Sequence, residues 1–226
     1  MRGRLRIPDL KEGSRAPAVV FVHGANHDQG TYYDLARAAT KIGLATLTFD
    51  RRGKNEDPEL ANRSAQQLAP EQRGSAYRDN GELDVKAAIQ FMASQKQVDP
   101  NRIALVAATA GVAEAIKGAA GDPRIKTLVM LTVSSMPSPD GAKYLSTSGI
   151  PIFTAASSED VNDRGNLAEV TRLTFELSGS KQSHFLLYDN VGRGTEMLKY
   201  KPELQTMIVR WLTEKLAATN LLESKK

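Results

Sequence analysis

The chain has 226 residues, 41% hydrophobic and 25% charged, with a formal net charge of +4; that length buries the core of one large α/β domain, and no apolar run approaches the length of a membrane span. It holds no cysteine, which excludes disulfides, thiolate metal sites and a cysteine nucleophile. Its basic residues are dispersed, with no dense block before Lys225-Lys226, and its start has no apolar core after Arg2, Arg4 and Arg6, so neither nucleic-acid binding nor a signal peptide is expected and the default location is cytoplasmic.

Taken in order, Arg4 to Ile7 reads as a short edge strand stopped by Pro8. Ala18 to Val22 is continuously apolar, the pattern of a strand covered on both faces, and His23-Gly24-Ala25-Asn26-His27 follows as a loop. Thr31 to Ile42 reads as a helix with Tyr32, Leu35, Ala36 and Ala39 on one face and Gly43 at its C-terminal end. Leu44 to Phe49 is the next strand, and Asp50 to Arg73 is a polar excursion without periodicity. A helix is expected from Asn80 or Glu82 to about Gln95, with Val85, Ala88, Ile89 and Met92 inward, then a turn at Asp99-Pro100-Asn101-Arg102. Ile103 to Val106 is a buried strand. The small residues Ala107-Ala108-Thr109-Ala110-Gly111 then form a tight turn into a helix. Strands are expected at 127–131, 151–155 and 185–188, and helices at 166–177 and after Pro202, where Leu204, Met207, Ile208, Trp211, Leu212 and Leu216 recur at helical spacing. The stretch Ser134 to Ser148 reads as a loop with one helical turn.

Strands and helices alternate from end to end, which predicts one α/β domain over residues 1–226: a mainly parallel twisted sheet between two layers of helices, without a large lid domain. Ligand sites in such sheets lie at the carboxyl ends of the strands. The loops with chemical interest all follow strands: His23 to His27, Asp50 to Asn55, Ala107 to Gly111, Ser157 to Asp160 and Gly192 to Thr195.

The order of these features resembles the α/β-hydrolase superfamily, and within it the small dienelactone-hydrolase-like and acyl-peptidase-like members. Val22-His23-Gly24 is similar to the family's His-Gly loop, and Leu47 to Gly53 to its Asp-x-Arg-Gly segment. Asp99 to Ile103 resembles the turn before the nucleophile elbow, and Ala107 to Gly111 the Gly-x-Ser-x-Gly elbow itself. Pro151-Ile152-Phe153 with Ser157-Ser158-Glu159-Asp160 resembles the strand that carries the catalytic acid, and Gly192-Arg193-Gly194-Thr195 the Gly-His-Gly-Thr loop of the base.

The resemblance implies carboxylic-ester hydrolysis, with the nucleophile position at Thr109, the acid at Asp160 with Glu159 as its neighbour, and the base position at Arg193. It implies oxyanion donors from the backbone N–H groups of Ala25 and Ala110, with His23, Gly24 and His27 lining the site. Two positions depart from the pattern, because Thr stands for Ser and Arg for His. A guanidinium stays protonated and has no acceptor, so Arg193 cannot take a hydroxyl proton. A β-branched residue at a turn of positive φ is also unfavourable, so this turn is expected to relax. On plainer readings, Thr109 caps the following helix, Arg193 pairs with Asp160 or lies in solvent, His23 and His184 are structural, and His27 is a surface loop residue. Two functional readings follow. One is an impaired or non-catalytic hydrolase-like protein that binds a small carboxylate- or phosphate-bearing ligand, a protein partner or a second copy. The other is an active esterase using Thr109, or Ser157 or Ser158, with His27 as base. No cofactor is expected, and no metal, since no cluster has ligand spacing.

Overall fold

A computed structural model describes residues 2–25, 27–51, 80–162 and 165–217. Its described strands are β1 (Gly3–Arg6), β2 (Ala16–Val22), β3 (Ala45–Phe49), β4 (Val98–Thr109), β5 (Ile125–Val133), β6 (Ile152–Ser157), β7 (Val161–Asn162), β8 (Gly165–Asn166) and β9 (His184–Tyr188). Its described α-helices are α1 (Tyr33–Lys41), α2 (Gly81–Ala93), α3 (Ala110–Ala119), α4 (Pro139–Thr147), α5 (Leu167–Glu176), α6 (Met197–Tyr200) and α7 (Pro202–Lys215). The main sheet has the order β1-β3-β2-β4-β5-β6-β9. Only β1 in it runs antiparallel, against β3. This is the mainly parallel α/β sheet expected from the alternation of elements.

The interior strands are apolar on both faces because helices cover both. Tyr32, just before α1, and Leu35, Ala36 and Ala39 within it pack with Leu204, Ile208, Trp211 and Leu212 of α7 on one face of the sheet. Val85, Ile89 and Met92 of α2 pack with Val112, Ala115 and Ile116 of α3 on the other. The connection leaving β2 therefore crosses one face, and the connection leaving β4 crosses the opposite face. β2 and β4 are hydrogen-bonded neighbours, so their carboxyl ends form the switch point at which open α/β sheets open a crevice. His23 follows the first strand and Thr109 ends the second.

Several boundaries differ from expectation. β4 begins at Val98 and absorbs the Asp99–Arg102 turn, with a register shift against β2 between Ala16 and Ala18. The segment expected as a loop with one helical turn holds the nine-residue helix α4, started by Ser138, whose hydroxyl accepts from the Gly141 N–H, and by Pro139 at its first position. Asn166 caps α5 by accepting from the N–H groups of Ala168 and Glu169, and Gly43 closes α1 at φ +97° as expected. Of the polar excursion, Arg52 to Arg73 lies outside the described residues, as does Asn26. No described helix is long and apolar enough to cross a membrane.

Candidate active site at the elbow

Thr109 sits at the junction of β4 and α3 with φ 50° and ψ −120°. The turn has not relaxed, contrary to the sequence expectation. For a β-branched residue such a conformation costs about 1–3 kcal/mol and persists only where the surroundings fix it. Here β4 is paired to its last residues, Ala107 with Val22 on one side and Thr109 with Val133 on the other. Directly after the apex, a Cβ on Gly111 would stand 2.7 Å from the carbonyl oxygens of both Val22 and His23, so α3 enters against bare β2 backbone. The Thr109 hydroxyl makes no capping hydrogen bond, which corrects the reading of this residue as a helix cap.

The threonine side chain is clasped between two glycines. A Cβ on Gly24 would lie 2.2 Å from Thr109 Oγ1, and one on Gly194 would lie 2.8 Å from Thr109 Cγ2. The hydroxyl therefore faces the His-Gly loop, and the methyl faces the loop that carries Arg193. Gly194 is fixed in turn by its N–H, which donates to the Thr132 hydroxyl at 3.0 Å from the end of β5. Thr132 itself is buried and adopts φ 52°. Nothing in its sequence context distinguishes this threonine from an ordinary strand residue.

Arg193 is committed to the acid position. Its Nε donates to Asp160 Oδ1 at 2.6 Å, and its Nη2 donates to the Val161 carbonyl at 3.0 Å. The Asp160 side chain is 2% exposed and that of Arg193 is 42% exposed, so the guanidinium is a half-open cover over a buried carboxylate. Asp160 Oδ2 is buried without a hydrogen-bond partner. The structure thus brings Thr109, Gly194, Arg193 and Asp160 into one contiguous set at the carboxyl edge of the sheet.

The other expected site residues divide by role. His23 is buried. Its Nδ1 lies 2.7 Å from the Gly24 carbonyl, and its Nε2 accepts from the Arg51 N–H at 3.1 Å, so both ring nitrogens serve loop structure. A Cβ on Gly24, which would meet Thr109 Oγ1, would also lie 3.3 Å from His27 Cδ2. The two side chains are therefore closer than those two distances added, although no hydrogen bond joins them. Ala110 is the first residue of α3, so its N–H has no acceptor within the helix, and Ala25 follows Gly24 in the His-Gly loop. Glu159 accepts from the Asn190 N–H at 2.5 Å and from the Ser157 hydroxyl at 3.1 Å. The Asn190 N–H, above all, holds its carboxyl below the usual range. The Ser157 hydroxyl also accepts from the Val191 N–H, and the Ser158 hydroxyl donates to Asp189. Both serines are thus tied into the loop network and are poorly placed as nucleophiles. His184 packs edge-on against Trp211 at 5.3 Å, away from the elbow.

Beneath the elbow lies a pair that sequence reading did not find. Arg51 Nη1 donates to Glu114 Oε1, with both side chains largely buried. Burial pushes the Glu114 carboxyl up despite the arginine beside it, and Glu114 Oε2 has no partner. Among the described residues no group of histidine, aspartate or glutamate has the arrangement to hold a metal ion.

The sheet order and the elbow at its switch point define an α/β-hydrolase fold like that of dienelactone hydrolases. Solved structures agree. Dienelactone hydrolase from Anabaena variabilis superposes with a TM-score of 0.69 at 17% identity, covering 95% of this chain and 91% of that one. An esterase from Thermogutta terrifontis gives 0.67 at 14%, covering 96% and 89%, and a dienelactone hydrolase-like promiscuous phosphotriesterase from metagenomic libraries gives 0.65 at 16%, covering 94% and 98%. By sequence the chain belongs to the acetyl xylan esterase (AXE1) family, whose model matches residues 1–133. An uncharacterized protein of Mycobacterium tuberculosis is 32% identical over 104 residues, 46% of this chain and 32% of that protein. A thiohydrolase of Arthrinium phaeospermum is 26% identical over 125 residues, 55% of this chain and 37% of that protein. The chain thus spans about a third of the length of the curated relatives it matches.

Proposed function

We propose that this chain is a hydrolase-fold protein whose ester-hydrolysing machinery is replaced, and that it binds a small carboxylate-bearing ligand at the elbow without turning esters over at an enzymatic rate. The observation that carries this reading is Arg193 in the base position, with its Nε committed to Asp160. Acyl transfer to a hydroxyl needs a group that accepts the proton near neutral pH and returns it to the leaving group. Arg193 has no lone pair to offer, and Thr109 presents a methyl, not a hydroxyl, to its loop. What remains is recognition. The N–H groups of Ala25 and Ala110, the start of α3 and the Thr109 hydroxyl are donors for a carboxylate, while the Asp160–Arg193 pair is close to neutral and adds little net attraction.

The second reading is an active carboxylic-ester hydrolase with Thr109 as nucleophile and His27 as base. The closeness of both side chains to Gly24 favours it. The test assays pure protein with p-nitrophenyl acetate and with a short acyl thioester, the latter because one matched relative is named a thiohydrolase. Fluorophosphonate labelling is followed by mass spectrometry. The expected result is no burst and no adduct on Thr109, with turnover gained by the double variant Thr109→Ser, Arg193→His. Stoichiometric labelling of Thr109 that is lost in His27→Ala would establish the second reading.

A further inference from the structure

At the other end of the strands from the elbow, cations gather without matching acids. Arg4 and Arg6 of β1 alternate onto the same side, and their guanidinium carbons lie 4.4 and 5.2 Å from the centre of the Tyr33 ring. Arg6 pairs in register with Thr46, early in β3. Among the residues lining a cavity of about 360 Å³ there are Arg6, Pro8, Asp9, Arg37 and Lys41. Among the described residues, Arg6 Nη1 is buried without a hydrogen-bond partner. Among the described residues no carboxylate lies within 4.0 Å of Arg4, Arg6 or Lys41, and Asp34 reaches only Arg37, at 3.5 Å between two exposed side chains. Three cations, Arg6, Arg37 and Lys41, therefore line the cavity with one carboxylate, Asp9. Lys41 offsets the carbonyl end of α1, so attraction for an anion comes from side chains and not from the helix.

A buried guanidinium donor left unpaired is unfavourable. Burial and the neighbouring Arg4 and Arg37 also lower the Arg6 pKa, the direction expected of a cation missing its counter-charge. Cation–π contact with Tyr33 orients the forks but supplies no acceptor. An oxyanion bridging the Arg6 fork and Lys41 would satisfy both needs at once. We propose that this cavity binds a phosphate group, free or as a monoester, at a site separate from the elbow.

Calorimetric titration of the full chain with inorganic phosphate and with glucose 6-phosphate, against sodium chloride of equal ionic strength, tests this. Saturable binding is expected, weakened about tenfold or more in Arg6→Gln, as for loss of a charged hydrogen bond, and unchanged in Arg193→Gln. Tighter binding of the sugar phosphate supports a monoester, and equal binding supports the free anion at the same site. Lys41→Gln, an exposed change, keeps the test valid if Arg6→Gln does not fold. Absence of saturable heat in the parent, or binding kept at full strength in both Arg6→Gln and Lys41→Gln, would overturn the proposal, the second outcome placing the anion elsewhere on the chain.

Discussion

At the scale of single residues, the site turns on how a buried carboxylate is satisfied. Asp160 has one oxygen on Arg193 and one on nothing. Arg193→Ala should therefore destabilise the fold by about 1–3 kcal/mol, less than a fully buried pair because the arginine is half open to water; urea unfolding at neutral pH measures it. Arg193→His alone should give no ester turnover, since the Thr109 methyl fills the space beside Gly194. Activity should need Thr109→Ser as well, and an ester assay on both single variants and the double variant checks this. Glu114 sets a pH dependence. Burial raises its folded pKa above the ordinary 4.5, so its contribution to stability is full below that value and is lost as pH rises through the raised one. Glu114→Gln lacks this loss, so its stability relative to the parent should improve as pH rises from about 4 to 7, as read from denaturant midpoints. Thr109, Asp160 and Arg193 were legible in the sequence because motif order brings them to one sheet edge. The Arg51–Glu114 pair was not, since its members stand far apart in the chain and Glu114 reads as the polar face of a helix.

At the scale of elements, strands were legible wherever burial on both faces made them uniformly apolar, as in Ala18 to Val22 and Ile103 to Val106. Helix α4 was not, because Gly141 and a short apolar set obscured a start signal that Ser138-Pro139 does provide. The behaviour of the elbow was misjudged for a physical reason. Local preference argues against threonine at positive φ, but the paired end of β4 and the close seat of α3 on β2 decide the backbone. Gly111→Ala is thus expected to cost about 3 kcal/mol or more, because the added methyl meets backbone that cannot move aside. A urea midpoint within a few tenths molar of the parent would show that the α3–β2 seat yields.

At the scale of the whole molecule, the alternation of elements made the sheet class readable, while the strand order came only from the structure. Trp211 is the chain's single tryptophan. It is buried against Phe153, and its indole N–H donates to the Thr127 hydroxyl at 2.8 Å, so it reports on the join between α7 and the sheet centre. If residues 1–226 unfold as one unit, its emission and the far-ultraviolet circular dichroism should give coincident denaturant transitions; two separated transitions would divide the chain. The elbow carries a longer consequence. Its shape belongs to the backbones packed around it and not to the residue at its apex. A lineage can therefore exchange that residue without losing the fold. Threonine and serine codons can differ by one base, as can arginine and histidine codons, so an elbow with the Thr109 and Arg193 pair and one with serine and histidine can stand two base changes apart.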